Sequence, residues 1–579
     1  MAKKAAEQLV EMLVEAGIER VYAVTGDSLN FVNDAVRRNG KIKWIHVRNE
    51  EAGAFAAGAE AQLKGIACCA GSSGPGHVHL INGLYDAHRS GAPVIAIAST
   101  CATFEYGTEY FQETNTIKLF DDCSYFNQVA ATPKQLPRMT QQAIQHAVHR
   151  KGVAVIGLPG DVTNMDAEEG ESAMHNYFTK AAMLPSVDEL KALAAIINQY
   201  NKVVLFCGIG CEDAHDEVIA LATRINAPVG YSYRGKMSIQ YDNPFEIGMT
   251  GLLGLPAAYD AMHDAELVVL LGTDFPYTPF MPTKNKIVQV DVKPERLGRR
   301  AKLEMGICGS VKETITALIS LLDEKADDDF LQKHLKNYGK VKENMQIYVE
   351  DKGKQDAIHP EYAGYLLDKL ADDDAIFTVD TGMCCVWGAR YISGTGKRKM
   401  LGSFNHGSMA NAMPQAIGAA LACPGQQVIA LCGDGGISML LGDLATIKQY
   451  DLPVKIIVFD NHSLGMVKLE MQVAGLPDNE TDMVNPDFAM IATAMGFKGI
   501  TVQKPADLEA ALREAFTHNG PVLVNIMTDA NALAMPPSIE MKQVTGMALS
   551  MTKLMMDGRW SEVKNTIASN IKHIKDLVN

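Results

Sequence analysis

Short runs of apolar residues recur along the whole chain, each bounded by Gly, Pro or Asp and usually followed by an amphipathic stretch. The runs are four to eight residues long and rich in Val, Ile and Ala, which is typical of strands buried on both faces. Strands that alternate with helices in this way form parallel sheets covered by helices. The clearest runs are residues 65–70, 93–99, 153–158, 203–207, 267–271, 287–292, 376–379, 428–432, 456–459 and 522–526.

Breaks in this pattern indicate where one domain ends and the next begins. The 579 residues suffice for three or four domains of about 150 residues each. Residues 166–185 are polar without a clear period, 323–329 and 351–354 flank a charged connector, and 533–537 contain two prolines. We predict an α/β protein of three doubly wound parallel-sheet domains with a C-terminal amphipathic helical tail. The predicted boundaries are residues 1–180, 181–340, 341–545 and 546–579.

The charge balance and composition exclude several classes of protein. Lys and Arg number 53 against 68 Asp and Glu, a net charge of −15, which argues against nucleic-acid binding because phosphate recognition needs a basic surface. With 47% apolar and 21% charged residues, the chain is not disordered or fibrous. The 11 cysteines are sparse, and no secretory signal or apolar run of spanning length is present. We expect a reduced, cytosolic protein.

The most informative segment is residues 428–465, where one strand runs into GDGG at 433–436 and a second ends at Asn461. Glycines let backbone N–H groups approach an anion, and the following helix directs its positive end there. Asp434 and Asn461 are 27 positions apart, yet both follow strands. A carboxylate, an amide and a nearby carbonyl are oxygen ligands suited to Mg²⁺. The segment predicts a diphosphate cradle with a metal; the alternative is a glycine turn and a helix cap.

A second segment, residues 46–63, places two acids at the start of a helix of small residues. Because adjacent helical residues point about 100° apart, only one of Glu50 and Glu51 can face a given ligand. Apolar surroundings would raise the pKa of a buried carboxyl there, and the helix N-terminus would oppose that shift. The alternative is a pair of acids that only stabilises the helix macrodipole.

The middle third carries glycine-containing strand ends. Residues 205–211 (LFCGIGC) hold only part of a GxGxxG fingerprint, which is weak evidence for a dinucleotide site. Arg234 can pair with a diphosphate, and Asp291, which follows its strand, can bind a ribose hydroxyl. The segments at 249–254 (MTGLLG) and 271–277 (LGTDFPY) let a diphosphate approach the backbone. Together they predict a dinucleotide site in this domain.

The spacing from GDG to Asn461 resembles the thiamine diphosphate signature. The segments GDSLN, FAAGAEAQL, YFQET, GMTGLLG and GSFNHGSMANAMPQA are similar to those of the thiamine diphosphate-dependent pyruvate oxidase family, and most of all to its quinone-reducing members, the pyruvate:quinone oxidoreductases. The resemblance covers nearly the whole chain. It implies that residues 1–180 bind the pyrimidine ring, 181–340 bind FAD, and 341–545 bind the diphosphate and Mg²⁺.

The resemblance also implies roles for individual residues. Glu50 would hydrogen-bond the aminopyrimidine ring, Phe111, Gln112 and Glu470 would line the reactive centre, and Met409 would lie beneath the cofactor. The metal ligands would be the side chains of Asp434 and Asn461 and the backbone carbonyl of Ser463. The other thiamine diphosphate contacts would be Gly407, Ser408, Gly435, Gly436, His462, Leu464, Gly465, Met466 and Val467. The FAD contacts would be Gly208, Arg234, Thr250, Gly251, Leu252, Leu253, Thr273, Asp274, Phe275, Pro276, Tyr277 and Asp291.

Four positions depart from the family pattern. Asp460 stands where many members have Asn, Asn49 replaces a His, Met466 replaces a Phe, and Ser310 replaces an Asp. These departures leave open the role of residue 49 and how residue 466 gates the active site.

The resemblance implies oxidation of pyruvate to acetate and CO₂, with electrons passing through FAD to a membrane quinone. Within the family the alternatives are a phosphate- and oxygen-dependent pyruvate oxidase and acetohydroxyacid synthase; outside it, the alternative is a nucleotide-sensing binding protein. The resemblance further implies a homotetramer whose active sites lie between two subunits.

The C-terminal tail has one apolar stripe with lysines on its other faces. Such a helix either packs on its own protein or lies on an anionic bilayer, and the resemblance favours lipid contact on the inner face of the cell membrane. The stripe consists of Trp560, Val563, Ile567, Ile571, Ile574 and Val578.

Overall fold

Three six-stranded sheets follow one another along the chain in the computed structural model, which describes residues 2–168, 175–179, 181–350, 358–532 and 541–578. In the last of these ranges, side chains are described for 545–570. The paired strands of each sheet run parallel, and half of the strands are buried at every residue. The predicted fold class is therefore confirmed.

The first sheet has the strand order β2-β1-β3-β4-β6-β5. Its strands are β1 Arg20–Ala23, β2 Lys43–His46, β3 Ala67–Gly71, β4 Val94–Thr100, β5 Phe126–Val129 and β6 Val153–Pro159. Its helices are α1 Ala5–Glu15, α2 Asn30–Asn39, α3 Glu50–Lys64, α4 Pro75–His79, α5 Ile81–Ser90, α6 Thr116–Leu119, α7 Leu136–Arg150 and α8 Gly160–Asn164.

The second sheet has the order β12-β11-β10-β7-β8-β9. Its strands are β7 Val203–Cys207, β8 Val229–Tyr231, β9 Glu246–Met249, β10 Leu267–Leu271, β11 Lys286–Asp291 and β12 Met305–Cys308. The accompanying helices are α9 Val187–Gln199, α10 His215–Ile225, α11 Lys236–Ile239, α12 Pro256–Asp264, α13 Val311–Leu318 and the long connector α14 Asp329–Glu350.

The third sheet repeats the strand order of the first, β14-β13-β15-β16-β18-β17. Its strands are β13 Ile376–Val379, β14 Lys399–Gly402, β15 Val428–Gly433, β16 Lys455–Asp460, β17 Lys498–Val502 and β18 Val522–Met527. Its helices are α15 Pro360–Leu370, α16 Met383–Tyr391, α17 Ala412–Ala422, α18 Asp434–Met439, α19 Leu444–Gln449, α20 Gly465–Val473, α21 Phe488–Ala494 and α22 Pro505–Thr517.

This topology explains why the predicted ligand-binding motifs lie at the carboxyl ends of the strands. The order of the third sheet reverses between β13 and β15, and in open α/β sheets ligands bind outside the carboxyl ends of the strands at such a switch. The GDGG turn follows β15 and the Asp460–Asn461 pair follows its neighbour β16. The two motifs therefore meet at one edge of the sheet.

The first and third domains are joined through α3 and α17, two helices of small residues that pack face to face. A Cβ on Gly418 would lie 2.0 Å from the carbonyl oxygen of Ala56, so the helices approach with their backbones nearly in contact. The small residues of both helices therefore serve this packing.

The tail folds back on the third domain as α23 Met541–Met556 and α24 Trp560–Val578. In α24, Ser569 donates to Asp529 Oδ2 at 2.6 Å and Asn570 donates to the Asn531 carbonyl at 2.8 Å. The predicted stripe is divided: Val563 is buried, whereas Trp560 is 64% and Ile567 48% exposed. The side chains of Ile571, Ile574 and Val578 lie outside the described residues.

Each sheet lies within one of the predicted intervals, and the exact boundaries remain predictions. The breaks at 351–354 and 533–537 fall outside the described residues. Among the described helices, none combines the length and the apolar character needed to cross a bilayer.

Candidate cofactor and active site

The last two glycines of the GDGG turn have no room for a side chain. A Cβ on Gly436 would lie 1.8 Å from Asp380 Oδ2, and one on Gly435 would lie 2.8 Å from Leu464 Cδ2. The turn borders a small open cavity of about 70 Å³. Of the predicted contacts, the cavity is lined by Met409, Asp434, Gly435, Gly436, Asn461, Ser463, Leu464, Gly465, Met466 and Val467.

The predicted metal ligands share this cavity. Asp434 is 3% exposed, and burial raises the pKa of its carboxyl, with Asp460 nearby adding to the shift. Asn461 Oδ1 accepts from the Ser463 amide at 3.0 Å, and the buried Ser463 hydroxyl has no partner. A cation with oxygen preference fits this donor set, because it would compensate the buried charge of Asp434. The described residues hold no cluster of three His, Cys, Asp or Glu side chains suited to a metal.

Met409 lies directly over the glycine turn. Its Cε is 3.1 Å from an ideal Cβ on Gly435, and Ala410, the next residue, has φ 68°. A left-handed alanine is a strained conformation that a fold retains where the surroundings enforce it, often at a functional site. Gly407, Ser408 and His462 do not line this cavity: Gly407 borders a second cavity, and the hydroxyl of Ser408 accepts from Asn82 at 2.9 Å.

A groove of about 580 Å³ runs between the second and third domains. Of the residues predicted to contact FAD, the groove is lined by Arg234, Thr250, Gly251, Leu252, Leu253, Thr273, Asp274, Phe275, Pro276 and Tyr277. Gly208 and Asp291 do not line it. A Cβ on Gly208 would lie 2.5 Å from the Gly272 carbonyl oxygen, and Asp291 is buried and accepts from the Lys293 amide.

The groove has the donors that a dinucleotide needs. Thr250 is 3% exposed and its hydroxyl has no partner, and Gly251 has φ 116°, which suits a close backbone approach. Arginines supply positive charge for a diphosphate: besides Arg234, the groove is bordered by Arg89, Arg296, Arg299 and Arg300. FAD, an elongated molecule with one diphosphate, fits a groove of this size and charge.

The two cavities adjoin. Thr381, Gly382 and Met466 line both, and Glu470, one turn further along α20, lines the groove. Two ligands held in these cavities would therefore lie on either side of the start of α20.

Glu50 begins α3 on the first domain. Asn49, one of the four residues that depart from the family pattern, caps this helix by accepting from the Glu51 amide at 2.8 Å. Glu50 is 6% exposed and its Oε2 lies 3.0 Å from Nδ1 of His79. Glu50 does not line the cavity of Asp434, so the single chain does not bring these two predicted groups together.

Phe111 and Gln112 lie on a loop of the same domain, also away from the Asp434 cavity. Phe111 is 78% exposed, and Gln112, with φ 62°, accepts from the Ser73 hydroxyl at 2.9 Å. Glu113 accepts from the backbone amides of Gly107 and Tyr110, and thereby holds the loop in shape.

Several site residues were not predicted. The run RLGRR at 296–300 begins five residues after Asp291. Its three arginines are a sequence signal for contact with a diphosphate. Arg89, by contrast, comes from the first domain. Asp380 and Asn485 reach the cavity region from β13 and from the loop before α21, and neither has a local sequence signal.

Comparison with known proteins agrees with this division of the chain. Three domain families match: the thiamine pyrophosphate enzyme N-terminal TPP binding domain over residues 3–119, the central domain over 190–318, and the C-terminal TPP binding domain over 380–526.

Relatives match this chain over most of its length. A putative thiamine pyrophosphate-containing protein of Bacillus subtilis is 32% identical over 99% of both chains. The pyruvate oxidase of Lactiplantibacillus plantarum is 29% identical over 89% of this chain and 87% of its own. A chloroplastic acetolactate synthase of Arabidopsis thaliana is 28% identical over 93% of this chain and 83% of its own.

Proposed function

Because the chain belongs to the thiamine pyrophosphate enzyme family, we propose that it oxidises pyruvate to acetate and CO₂. Water supplies the oxygen that acetate gains, and the two electrons released from pyruvate pass through FAD to a membrane quinone. The observation that carries the proposal is the pair of adjoining cavities, which share Thr381, Gly382 and Met466. Thiamine diphosphate, when bound, supplies an electron sink for decarboxylation of a 2-oxo acid, and FAD accepts the two electrons.

The residues of the third domain would bind and orient the cofactor. Asp434, Asn461 and the Ser463 carbonyl would hold Mg²⁺, and the glycine turn would receive the diphosphate. Met409 and Leu464 narrow the cavity above that turn, which would exclude water from the reacting centre.

Glu50 would hold and exchange a proton with the aminopyrimidine ring. In the single chain it lies on another domain from the Asp434 cavity. We therefore include in the proposal that the site is completed by a second copy of the chain, within a homotetramer. Phe111, exposed on the same domain as Glu50, would then be covered by the partner and border the substrate.

The proposal is tested by the visible flavin spectrum of the purified protein with thiamine diphosphate and Mg²⁺. Pyruvate should bleach the flavin absorption, and added quinone should restore it while acetate accumulates. Protein prepared without thiamine diphosphate is the control and should not bleach. Hydrogen peroxide with acetyl phosphate would instead identify an oxygen-dependent pyruvate oxidase, and acetolactate without net quinone reduction would identify an acetolactate synthase.

The tail supports the membrane part of the proposal, which places the enzyme on the inner face of the cell membrane. Trp560 and Ile567 are exposed on α24, and an exposed apolar residue beside lysines favours an anionic lipid surface. We expect a chain that ends at Met556 to lose binding to anionic lipid vesicles in a flotation assay.

A point variant makes the test more specific. Ile567→Ser should weaken vesicle binding by about 50-fold, because three apolar carbons are removed and about 0.8 kcal/mol is lost for each that is no longer buried in lipid. Leu321→Ser, at a similarly exposed position of the second domain (38% exposed), is the matched control and should bind like the unaltered chain. Unchanged binding by the truncated chain would contradict the membrane role.

A further inference from the structure

One amide nitrogen lies between two carboxylates at the predicted metal site. Asn485 Nδ2 donates to Asp434 Oδ2 at 2.8 Å and to Asp460 Oδ1 at 2.7 Å. A primary amide nitrogen carries two hydrogens, so it can serve one carboxylate with each. Asn485 itself does not line the cavity.

Asp460 anchors this arrangement to the sheet. It ends β16, is 1% exposed, and its Oδ2 accepts from Asn525 Nδ2 on β18 at 3.0 Å. Because β16 and β18 are paired neighbours, the position of Asp460 is set by the backbone of the sheet. Asn485 is thereby held at a fixed place relative to the cavity.

Asp434 is held at both oxygens. Oδ1 accepts from the Gly435 amide at 2.9 Å, and Oδ2 accepts from Asn485. The His462 backbone amide is a third donor to this carboxylate. A carboxylate has about four lone-pair sites, so at least one remains for a cation. The donors fix the plane of the carboxylate, which would otherwise rotate freely about the Cβ–Cγ bond.

We propose that Asn485 is a positioning residue for the divalent cation: it sets the plane of Asp434 and holds the negative charge of Asp460 behind that ligand. The inference rests on the Mg²⁺ and thiamine diphosphate assignment of the proposed function. Mg²⁺ requires a near-ideal octahedral arrangement, whereas Ca²⁺ accepts irregular ones. Loss of orientation should therefore weaken Mg²⁺ binding more than Ca²⁺ binding.

The test uses Asn485→Ala in the full-length protein stripped of cofactors. Thermal unfolding is followed with saturating thiamine diphosphate while Mg²⁺ or Ca²⁺ is titrated. The half-saturating Mg²⁺ concentration should rise about 10- to 100-fold, the usual effect of losing a group that orients a metal ligand, and that of Ca²⁺ by less than about threefold. Unchanged Mg²⁺ dependence, or equal losses for both cations, would overturn the inference.

Asp487→Ala is the matched control. Asp487 lies two residues away and caps α21 by accepting from the Met490 amide at 2.8 Å, without contact to Asp434 or Asp460. It should leave the Mg²⁺ dependence unchanged. An equal loss in this variant would mean that loosening of the loop explains the effect. Should Asn485→Ala fail to fold, Asn485→Gln retains the amide at a displaced position and should show the same selective loss.

Asp460→Asn separates charge from orientation. The oxygen of the new amide at position 460 can still accept from Asn485. The Asn525 side chain, whose Oδ1 is buried without a partner, can rotate so that this oxygen accepts from the nitrogen of the new amide. Orientation is then retained and one negative charge is lost, so Mg²⁺ and Ca²⁺ binding should weaken equally. A selective loss of Mg²⁺ would contradict the role given to Asp460.

The unaltered protein distinguishes this inference from the proposed function. If neither cation stabilises it with thiamine diphosphate, the metal assignment itself is wrong. If Mg²⁺ stabilises it and Asn485→Ala responds identically, only the positioning role is wrong.

Discussion

Replacing Glu50 with Gln should lower the turnover of pyruvate about 100- to 10,000-fold, the range expected when a proton-transferring carboxyl is removed. The amide has nearly the same shape, so α3 and the helix cap at Asn49 should be preserved. We expect kcat for quinone reduction to fall while binding of thiamine diphosphate and Mg²⁺, followed by thermal stabilisation, changes little. The variant should therefore lose proton transfer and retain cofactor binding.

Glu51→Gln is the matched control for this variant. Glu51 is the next residue on the same helix, and its Oε1 accepts from Asn82 at 2.7 Å rather than contacting Glu50 or His79. Turnover within a few-fold of the unaltered enzyme is expected. Normal pyruvate turnover by Glu50→Gln would refute the proposed mechanism.

The sequence predicted the features that depend on local pattern. Continuous apolar runs identify strands buried on both faces, and GDGG after such a run identifies a turn at a strand end. The same pattern predicts that Asp434 and Asn461 lie close together, because parallel strands present their carboxyl ends at the same edge. Asn49 departs from the family pattern, and its role as a helix cap also follows from local chemistry.

The features that were missed depend on packing between distant segments. Arg89 borders the groove only because the end of α5 abuts the second and third domains. Asn485 reaches the metal site from a loop 24 residues beyond Asn461. Helical periodicity in the tail located an apolar stripe, but the buried face of α24 also includes Thr566 and Asn570, which hydrogen-bond the third domain. The spacing of apolar residues along a helix gives no information on such polar contacts.

Replacing Gly436 with Ala should weaken binding of thiamine diphosphate strongly. Its Cβ would lie 1.8 Å from Asp380 Oδ2, so the carboxylate or the turn must move. Asp380 is fully enclosed, burial raises the pKa of its carboxyl to about 7, and its amide donates to the Leu431 carbonyl on β15. Because it has little room to move, the displacement should fall on the GDGG turn and on Asp434 within it.

We expect overpacking at this position to cost about 1–3 kcal/mol of folding stability. The distorted cradle should raise the half-saturating thiamine diphosphate concentration more than about 100-fold, a larger effect than that of removing a group that only orients a metal ligand. Thermal unfolding without and with the cofactor measures the two effects separately. Gly442→Ala is the matched control: it lies just beyond α18, and a Cβ there meets nothing within 4 Å. It should bind the cofactor normally. Normal binding by Gly436→Ala would show that the turn is not the diphosphate cradle, since a cradle formed by backbone amides cannot shift by more than an ångström and keep its hydrogen bonds.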